Sequence, residues 1–280
     1  MKSQPERYYQ HKFAPTGSSL YYSTRYLPEA EREAVLTLHA FAKEMAAIVN
    51  SAKDSAIANT KLRWWEQELQ RVIAGHPTHP LAIALKPLLQ HYKLPHDLLL
   101  EIIQGQQLKL EVDHCCTLND LLLYCYREQG LLMIVTAYIP GAPEPSCIQF
   151  AHDIGICLGL IEMIVDLRQS ARLGRIYFPL EELEQFNVTP AIFAELKMTE
   201  ELRAFLTFQA KRARDYYQQA LNKLPRGQHF NQQHLIILAQ LKLALLEEIE
   251  KGGFPVFTVQ TRLTPLRKLW RSWRGYRGLK

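Results

Sequence analysis

Two carboxylates interrupt the most apolar stretch of this chain. From Gly155 to Val165 nearly every side chain is apolar, yet Glu162 and Asp166 stand there four residues apart, on one face of any helix. Burying a carboxylate without a partner costs several kcal/mol, so something must compensate. A Lys or Arg from a neighbouring helix would make the pair structural, whereas a cavity would let the two oxygens groups hold a metal ion or a polar ligand. A second cluster is His114 with the adjacent Cys115 and Cys116. Its spacing suits neither an ordinary disulfide nor a C-x-x-C zinc site, so buried thiols are the expectation and a metal cluster the alternative. The third is C-terminal: Leu263, Leu266, Leu269, Trp270 and Trp273 fall at helical spacing beside Arg267, Lys268, Arg271 and Arg274. Tryptophan at an apolar edge with arginine towards phosphates is the composition of an interfacial helix.

Helices must position these groups. At 29–49, Ala34, Leu38, Phe41, Met45 and Ile48 recur every three or four residues, which predicts an amphipathic helix, and Pro28 suits its start. Similar periodicity predicts helices at 61–74, 80–91, 97–110, 118–138, 148–166, 200–224 and 232–251. Proline-containing breaks separate them, and no alternating pattern of useful length predicts a strand. The breaks are short, so one all-α domain is expected over 1–260, with a basic amphipathic tail over 261–280.

Composition narrows the classes. The 280 residues are 48% apolar, enough for a sizeable core and inconsistent with disorder or a collagen-like chain. Five cysteines at 115, 116, 125, 147 and 157 form no regular framework, and reduced thiols in a cytosolic protein are expected. Segment 1–13 is polar, without the apolar core of a secretory signal. The longest apolar run, 154–165, is interrupted by Glu162 and falls short of the roughly 18 residues of a membrane span, so no span is expected. The formal charge of +5 misleads. Seven of the 33 basic residues lie in the last twenty with no acid among them, so the first 260 residues carry 26 bases against 28 acids.

Several stretches resemble one family in sequence order. ARLGRIYFP (Ala171–Pro179) is similar to the signature ARRGRIYLP of the squalene/phytoene synthases, and GSSLYYSTRYLP (Gly17–Pro28) to their Ser-Ser-Phe-Tyr-Tyr-Ser opening. TKLRWWEQEL, LLEIIQG and LLLYCYREQG follow as they do in the family, nearest to its bacterial presqualene-diphosphate and squalene-forming branch. The resemblance implies an isoprenoid-synthase-type helical bundle around a central cavity. It also implies head-to-head joining of two prenyl diphosphates, with magnesium held by two Asp-rich helices. Magnesium favours carboxylate and phosphate oxygens, and a departing diphosphate needs its charge neutralised. Carried over position by position, the resemblance assigns the cavity or substrate to Ser18, Ser19, Tyr22, Glu44, Tyr124, Tyr126, Glu162, Asp166, Arg175 and Tyr177.

The same alignment exposes departures. The family's Phe-Cys-Arg-Glu-Val-Asp-Asp-x-Val-Asp reads Phe41-Ala42-Lys43-Glu44-Met45-Ala46-Ala47-Ile48-Val49-Asn50 here. Its second motif, Asn-x-x-Arg-Asp-x-x-x-Asp, keeps Asp166 and ends in Ser170. Ala46, Ala47, Asn50 and Ser170 thus stand where four motif aspartates are expected. Lys109 replaces an acid, and Glu128-Gln129-Gly130 replaces a small Val-Ala stretch. Asp54 would supply a carboxylate if the first helix continued that far, Glu162 could offer an oxygen to a retained metal beside Asp166, and Lys109 would stand in for the missing ions by pairing with Asp166.

These departures lead to a family member that has lost magnesium-diphosphate catalysis, with no cofactor and no confident catalytic residue. It would keep an isoprenoid- or lipid-binding scaffold, or act as an assembly or partner-binding factor. The alternative is an active, magnesium-dependent prenyltransferase condensing two farnesyl diphosphates to presqualene diphosphate or squalene. For the tail, Arg267, Lys268, Trp270, Arg271, Trp273 and Arg274 are expected to meet an anionic membrane surface, making the protein cytoplasmic and peripherally membrane-associated. A solvated terminus is the plainer reading of the same residues. Nucleic acid is the weaker partner, because the body is near neutral.

Overall fold

The computed structural model describes residues 14–52, 54–111 and 115–279. As the sequence predicts, it is all-α, and no strand forms among the described residues. The first half comprises α1 (Ser19–Thr24), α2 (Glu29–Asn50), α3 (Ser55–Ala74), α4 (Pro80–His91), α5 (His96–Lys109) and α6 (Leu118–Cys125). A π-helical turn (Tyr126–Gly130) then leads into α7 (Leu131–Ala137). The second half holds α8 (Pro145–Val165), α9 (Leu167–Arg172), α10 (Leu180–Gln185), α11 (Pro190–Ala194), α12 (Glu200–Lys223), α13 (Gln233–Lys251) and α14 (Pro265–Gly278).

Helix α8 is the axis of the bundle. Pro145 occupies its first turn, where a missing N–H costs nothing. Beyond it Phe150, Ile154, Cys157, Leu160, Ile161 and Ile164 are fully buried, which requires neighbours on most sides. Helices α6, α7, α12 and α13 and the π turn supply them, while α2, α3, α4 and α5 form the adjoining part of the bundle. By length and composition α8 could cross a membrane, with a mean hydropathy of 1.6 over its best window. This corrects the expectation that Glu162 disqualifies the segment, since a window of this length tolerates isolated charges. The apolar surface faces protein, and 72% of that window is buried in the bundle.

One continuous helix over 118–138 is expected from sequence, and the structure interrupts it. A capping box between Thr117 and Asp120 starts α6, but at Tyr126–Gly130 the chain widens into a π turn before α7 resumes. The π turn lies where this segment makes its closest approach to α8. A Cβ built on Gly155 would lie 2.3 Å from the Gly130 Cα, and one on Gly159 would lie 2.8 Å from the Cys125 Cβ. The two segments touch there, Gly155 against Gly130 and Gly159 against Cys125, and neither α8 position has room for a side chain.

The carboxylate of Asp54 does not extend the first motif. Helix α2 ends at Asn50, and Asp54 caps α3 by accepting from the Ala56 N–H at 2.8 Å. The five cysteines form no disulfide. Cys115 is buried and Cys116 exposed, while His114 lies outside the described residues. Burial pushes the Cys115 thiol up to about 12, which keeps it protonated and inert.

Replacing Gly155 with Ala forces a methyl group into backbone that has no side chain to move aside. A loss of about 3 kcal/mol or more in urea denaturation is expected, at the upper end of overpacking costs. A much smaller effect is expected for Gly227→Ala, where a Cβ meets nothing within 4 Å.

Candidate functional site

The last turns of α2, α5 and α8 converge with the middle of α13 on a cavity of about 320 Å³. Lys43 and Asn50 come from α2, Lys109 from α5, Tyr124 from α6 and Lys242 from α13. The π turn contributes Glu128 and Gln129, and Glu162 and Asp166 come from the end of α8. Ser170, Arg175 and Tyr177 close it from α9 and the loop beyond. A second cleft of about 540 Å³ shares Asn50, Asp166, Gln169 and Leu173 with it and adds Val165, Ile249, Val256 and Val259. Arg168, Arg172, Gln260 and Thr261 also line this cleft, so the charged chamber adjoins a cleft of mixed polar and apolar lining.

Each carboxylate in the chamber has a different fate. Glu162 forms an ion pair with Lys242 of α13. Burial alone would lower the Lys242 ammonium, but the Glu162 charge and hydrogen bond outweigh it and hold it above its usual value. Glu128 accepts from Gln106 at 2.8 Å and pairs with Lys109 at 3.2 Å. The Lys109 ammonium lies 5.6 Å from the Tyr124 ring centroid and 6.0 Å from that of Tyr177, and those rings stack at 4.3 Å. Asp166 has no ion pair among the described residues. Its side chain is exposed to the cavity's accessible space, but protein walls that space on several sides. The resulting desolvation, with Glu162 adding repulsion, pushes its carboxyl up to about 6 against the pull of Lys242 and Lys109. On α2, burial and the nearby Lys242 lower the Lys43 ammonium.

The expected Lys109–Asp166 pair is therefore not formed. Lys109 engages Glu128, because the π turn carries that carboxylate to the same wall, and the fixed cation beside the α8 carboxylates is Lys242. Neither Glu128 nor Lys242 is singled out by the sequence as a site residue. For Lys242 a signal existed: it is a lone charge in the run Leu235–Leu246, otherwise almost wholly apolar.

Of the residues assigned from sequence, Tyr124, Glu162, Asp166, Arg175 and Tyr177 do line the cavity, as do Asn50 and Ser170. Ala46 and Ala47 follow Lys43 by three and four residues and share its helical face. The others face elsewhere. Ser18 is the N-cap of α1, accepting from the Tyr21 N–H at 3.1 Å, and Ser19 is that helix's first residue. Tyr22 is buried against Ile237 and Leu241. Glu44, one step around α2 from Lys43, lies beside His79 of α4. The Tyr126 hydroxyl donates to Glu101 at 3.3 Å, and its ring lies against His152. A motif names neighbours in sequence, and consecutive helical residues point about 100° apart, so only part of each motif can reach the cavity.

Magnesium is the ion the family pattern implies. A cluster of such ions needs several carboxylate oxygens in near-octahedral geometry. Here Glu162 is engaged by an ammonium, Asp166 supplies a single carboxyl, and Lys43, Lys109 and Lys242 bring positive charge into the same space. Among the described residues no three His, Cys, Asp or Glu side chains converge in a metal-holding group. The donor set does not fit a magnesium cluster.

A family model described as squalene/phytoene synthase matches residues 13–270. The 15-cis-phytoene synthase of Synechococcus elongatus is 30% identical over 253 residues, covering 85% of this chain and 82% of its own. The phytoene synthase of Arthrospira platensis is 28% identical over 257 residues, covering 87% and 83%. The fold is similar to a crystal structure of a dehydrosqualene synthase, with a TM-score of 0.83, 21% identity and 99% of each chain covered. It is also similar to squalene synthase HpnC from Alicyclobacillus acidocaldarius, with a TM-score of 0.76, 21% identity, and coverage of 89% and 93%. These two likenesses establish the isoprenoid-synthase fold expected from sequence.

Two measurements check the site. An acid whose pKa is raised on folding makes the folded state bind more protons than the unfolded one, so Asp166 lowers stability as pH rises from about 4 to about 6. Asp166→Asn should remove that component from the pH profile of the melting temperature. Near pH 7 it should stabilise by no more than about 1 kcal/mol, because cavity water screens the charge. Lys242→Met leaves Glu162 without its cation and should cost about 2 kcal/mol in chemical denaturation, and adding Glu162→Gln should restore most of it.

Proposed function

Because this chain belongs to the squalene/phytoene synthase family, whose members are prenyltransferase-type enzymes, we propose that it keeps the family's scaffold for binding and has lost magnesium-assisted condensation. The observation that carries this is the replacement of a carboxylate-rich metal site by ammonium groups. Glu162 is held by Lys242, Glu128 by Lys109, and Ala46, Ala47, Asn50 and Ser170 supply no carboxylate. In the charged chamber Lys43, Lys109, Arg175 and Lys242 outnumber Glu128, Glu162 and Asp166. The surplus positive charge suits a phosphate-bearing head group.

The ligand on this reading is one isoprenoid or other lipid phosphate. A cavity of about 320 Å³ stands at the small end of ordinary ligand sites. It accommodates one head group, and in the adjoining cleft Val165, Ile249, Val256 and Val259 form the apolar part, beside Arg168 and Arg172, against which a hydrocarbon chain would start. The chamber by itself has no room for two prenyl chains with two diphosphates. The protein works in the cytoplasm, peripherally attached to a membrane, without a cofactor.

A second reading, an active synthase condensing two farnesyl diphosphates, draws on a specific observation. Tyr124, Asp166, Arg175 and Tyr177 all meet in one cavity, as residues of a working site would. Incubation of the full chain with farnesyl diphosphate and magnesium separates the two. No released diphosphate and no hydrocarbon product are expected, while a non-hydrolysable farnesyl thiodiphosphate binds with a stoichiometry of about one per chain by calorimetry. Turnover that disappears in Asp166→Ala would establish the active synthase instead.

A further inference from the structure

Helix α14 divides its residues between two surfaces. Pro265 occupies its first turn, and the Thr264 side chain accepts from the Arg267 N–H. Its inner face docks on α1 and α13. Leu269 and Tyr276 pack with Tyr21, Tyr22, Tyr26, Ile237 and Leu241, Tyr276 stacks on Tyr26 at 4.5 Å, and Ser272 is fully buried. The flanks are tied to the body: Arg267 pairs with Glu248 at 2.7 Å, Arg271 with Glu247 at 3.2 Å, and Lys268 donates to the Gly17 carbonyl at 2.8 Å. Three of the six residues expected to meet a membrane are therefore engaged internally.

The outer face is different. Leu266, Trp270 and Trp273, at positions i, i+4 and i+7, are 79%, 51% and 46% exposed. The Arg274 guanidinium lies 5.4 Å from the Trp270 centroid and that of Arg277 5.1 Å from Trp273. Neither arginine has an ion pair among the described residues, and α14 contains no acidic side chain. Three large apolar groups stay in water here on a helix whose other side is already buried, so no packing among the described residues explains them.

We propose that the Leu266–Trp270–Trp273 face, with Arg274 and Arg277, is the surface by which this protein lies on an anionic lipid bilayer. The inference rests on the peripheral attachment included in the proposed function and deepens it by naming the face and the lipid class. Indole rings partition to the boundary between head groups and acyl chains, and the adjacent guanidinium groups meet lipid phosphates and anionic head groups. The arrangement suits nucleic acid less well, because each indole already carries an arginine over its ring and base stacking needs an open ring face. Helix α8, the apolar segment that could span, is committed to the core, so contact through α14 is interfacial.

Flotation of the full chain with vesicles tests this. Binding to phosphatidylcholine vesicles containing phosphatidylglycerol is expected, with little binding to phosphatidylcholine alone. It should be largely lost at about 1 M salt, where the screening length falls to about 3 Å. Arg274→Gln with Arg277→Gln should weaken binding about 25-fold, roughly fivefold for each guanidinium. Trp270→Ser with Trp273→Ser should weaken it about tenfold or more, with circular dichroism confirming that both variants fold. Arg267→Gln, whose cation serves Glu248, should change it less than about fivefold. Equal binding to neutral and anionic vesicles would overturn the anionic-lipid assignment while leaving peripheral attachment standing. Absence of binding to any vesicle would overturn both. Single-stranded RNA bound through the same two arginines in place of vesicles, or a dimer that buries the tryptophans, would reassign the face. None of these outcomes bears on the product assay, which tests the loss of condensation separately.

Discussion

A carboxylate in an apolar helix has to be answered by something, and most of the site follows from that requirement. Helix α8 must be apolar because neighbours cover it on most sides, yet it ends in Glu162 and Asp166. Desolvating both as free anions would cost several kcal/mol. The fold meets the demand unequally. Lys242 is brought from α13 to Glu162, whereas Asp166 is left facing cavity space with its carboxyl raised to about 6. In a magnesium-loaded site the cations arrive with the ligand. Here they are built into the chain, and that changes what the cavity can do before any ligand enters.

The approach of α8 to the segment after α6 is the second determinant. Gly155 and Gly159 bring the α8 backbone into contact with Gly130 and Cys125, and the facing segment passes this contact as a π turn over Tyr126–Gly130. That turn lines the cavity with Glu128 and Gln129 and supplies the partner that takes Lys109. The packing at this contact therefore bears on the electrostatics, because the carboxylate carried by the π turn is the one that pairs with Lys109.

The C-terminal segment obeys the same economy. Its basic residues look interchangeable in sequence, but docking divides them. Those on the flanks neutralise Glu247 and Glu248 of α13, and those on the far side stay beside exposed tryptophans. Net charge is therefore a poor guide to what the segment offers a partner. The positive charge that remains accessible is concentrated at Arg274 and Arg277.

How much was legible follows from the range of each interaction. Hydrophobic periodicity is local, so the all-α class and most helix positions could be read directly, and the signature at Ala171–Pro179 carries Arg175 and Tyr177, which line the cavity. Missing motif acids at Ala46, Ala47, Asn50 and Ser170 were equally visible, because residue type needs no structure. Motif membership did not predict orientation: Ser18 and Ser19 serve the start of α1, Tyr22 packs in the core, and Glu44 and Tyr126 turn to other helices. Sequence by itself determined the fold class, the family and the loss of carboxylates. Only the tertiary structure decided which cation answers which acid, since Lys242 lies 80 positions from Glu162. Ion pairing depends on distances of a few ångströms, set by how whole helices pack.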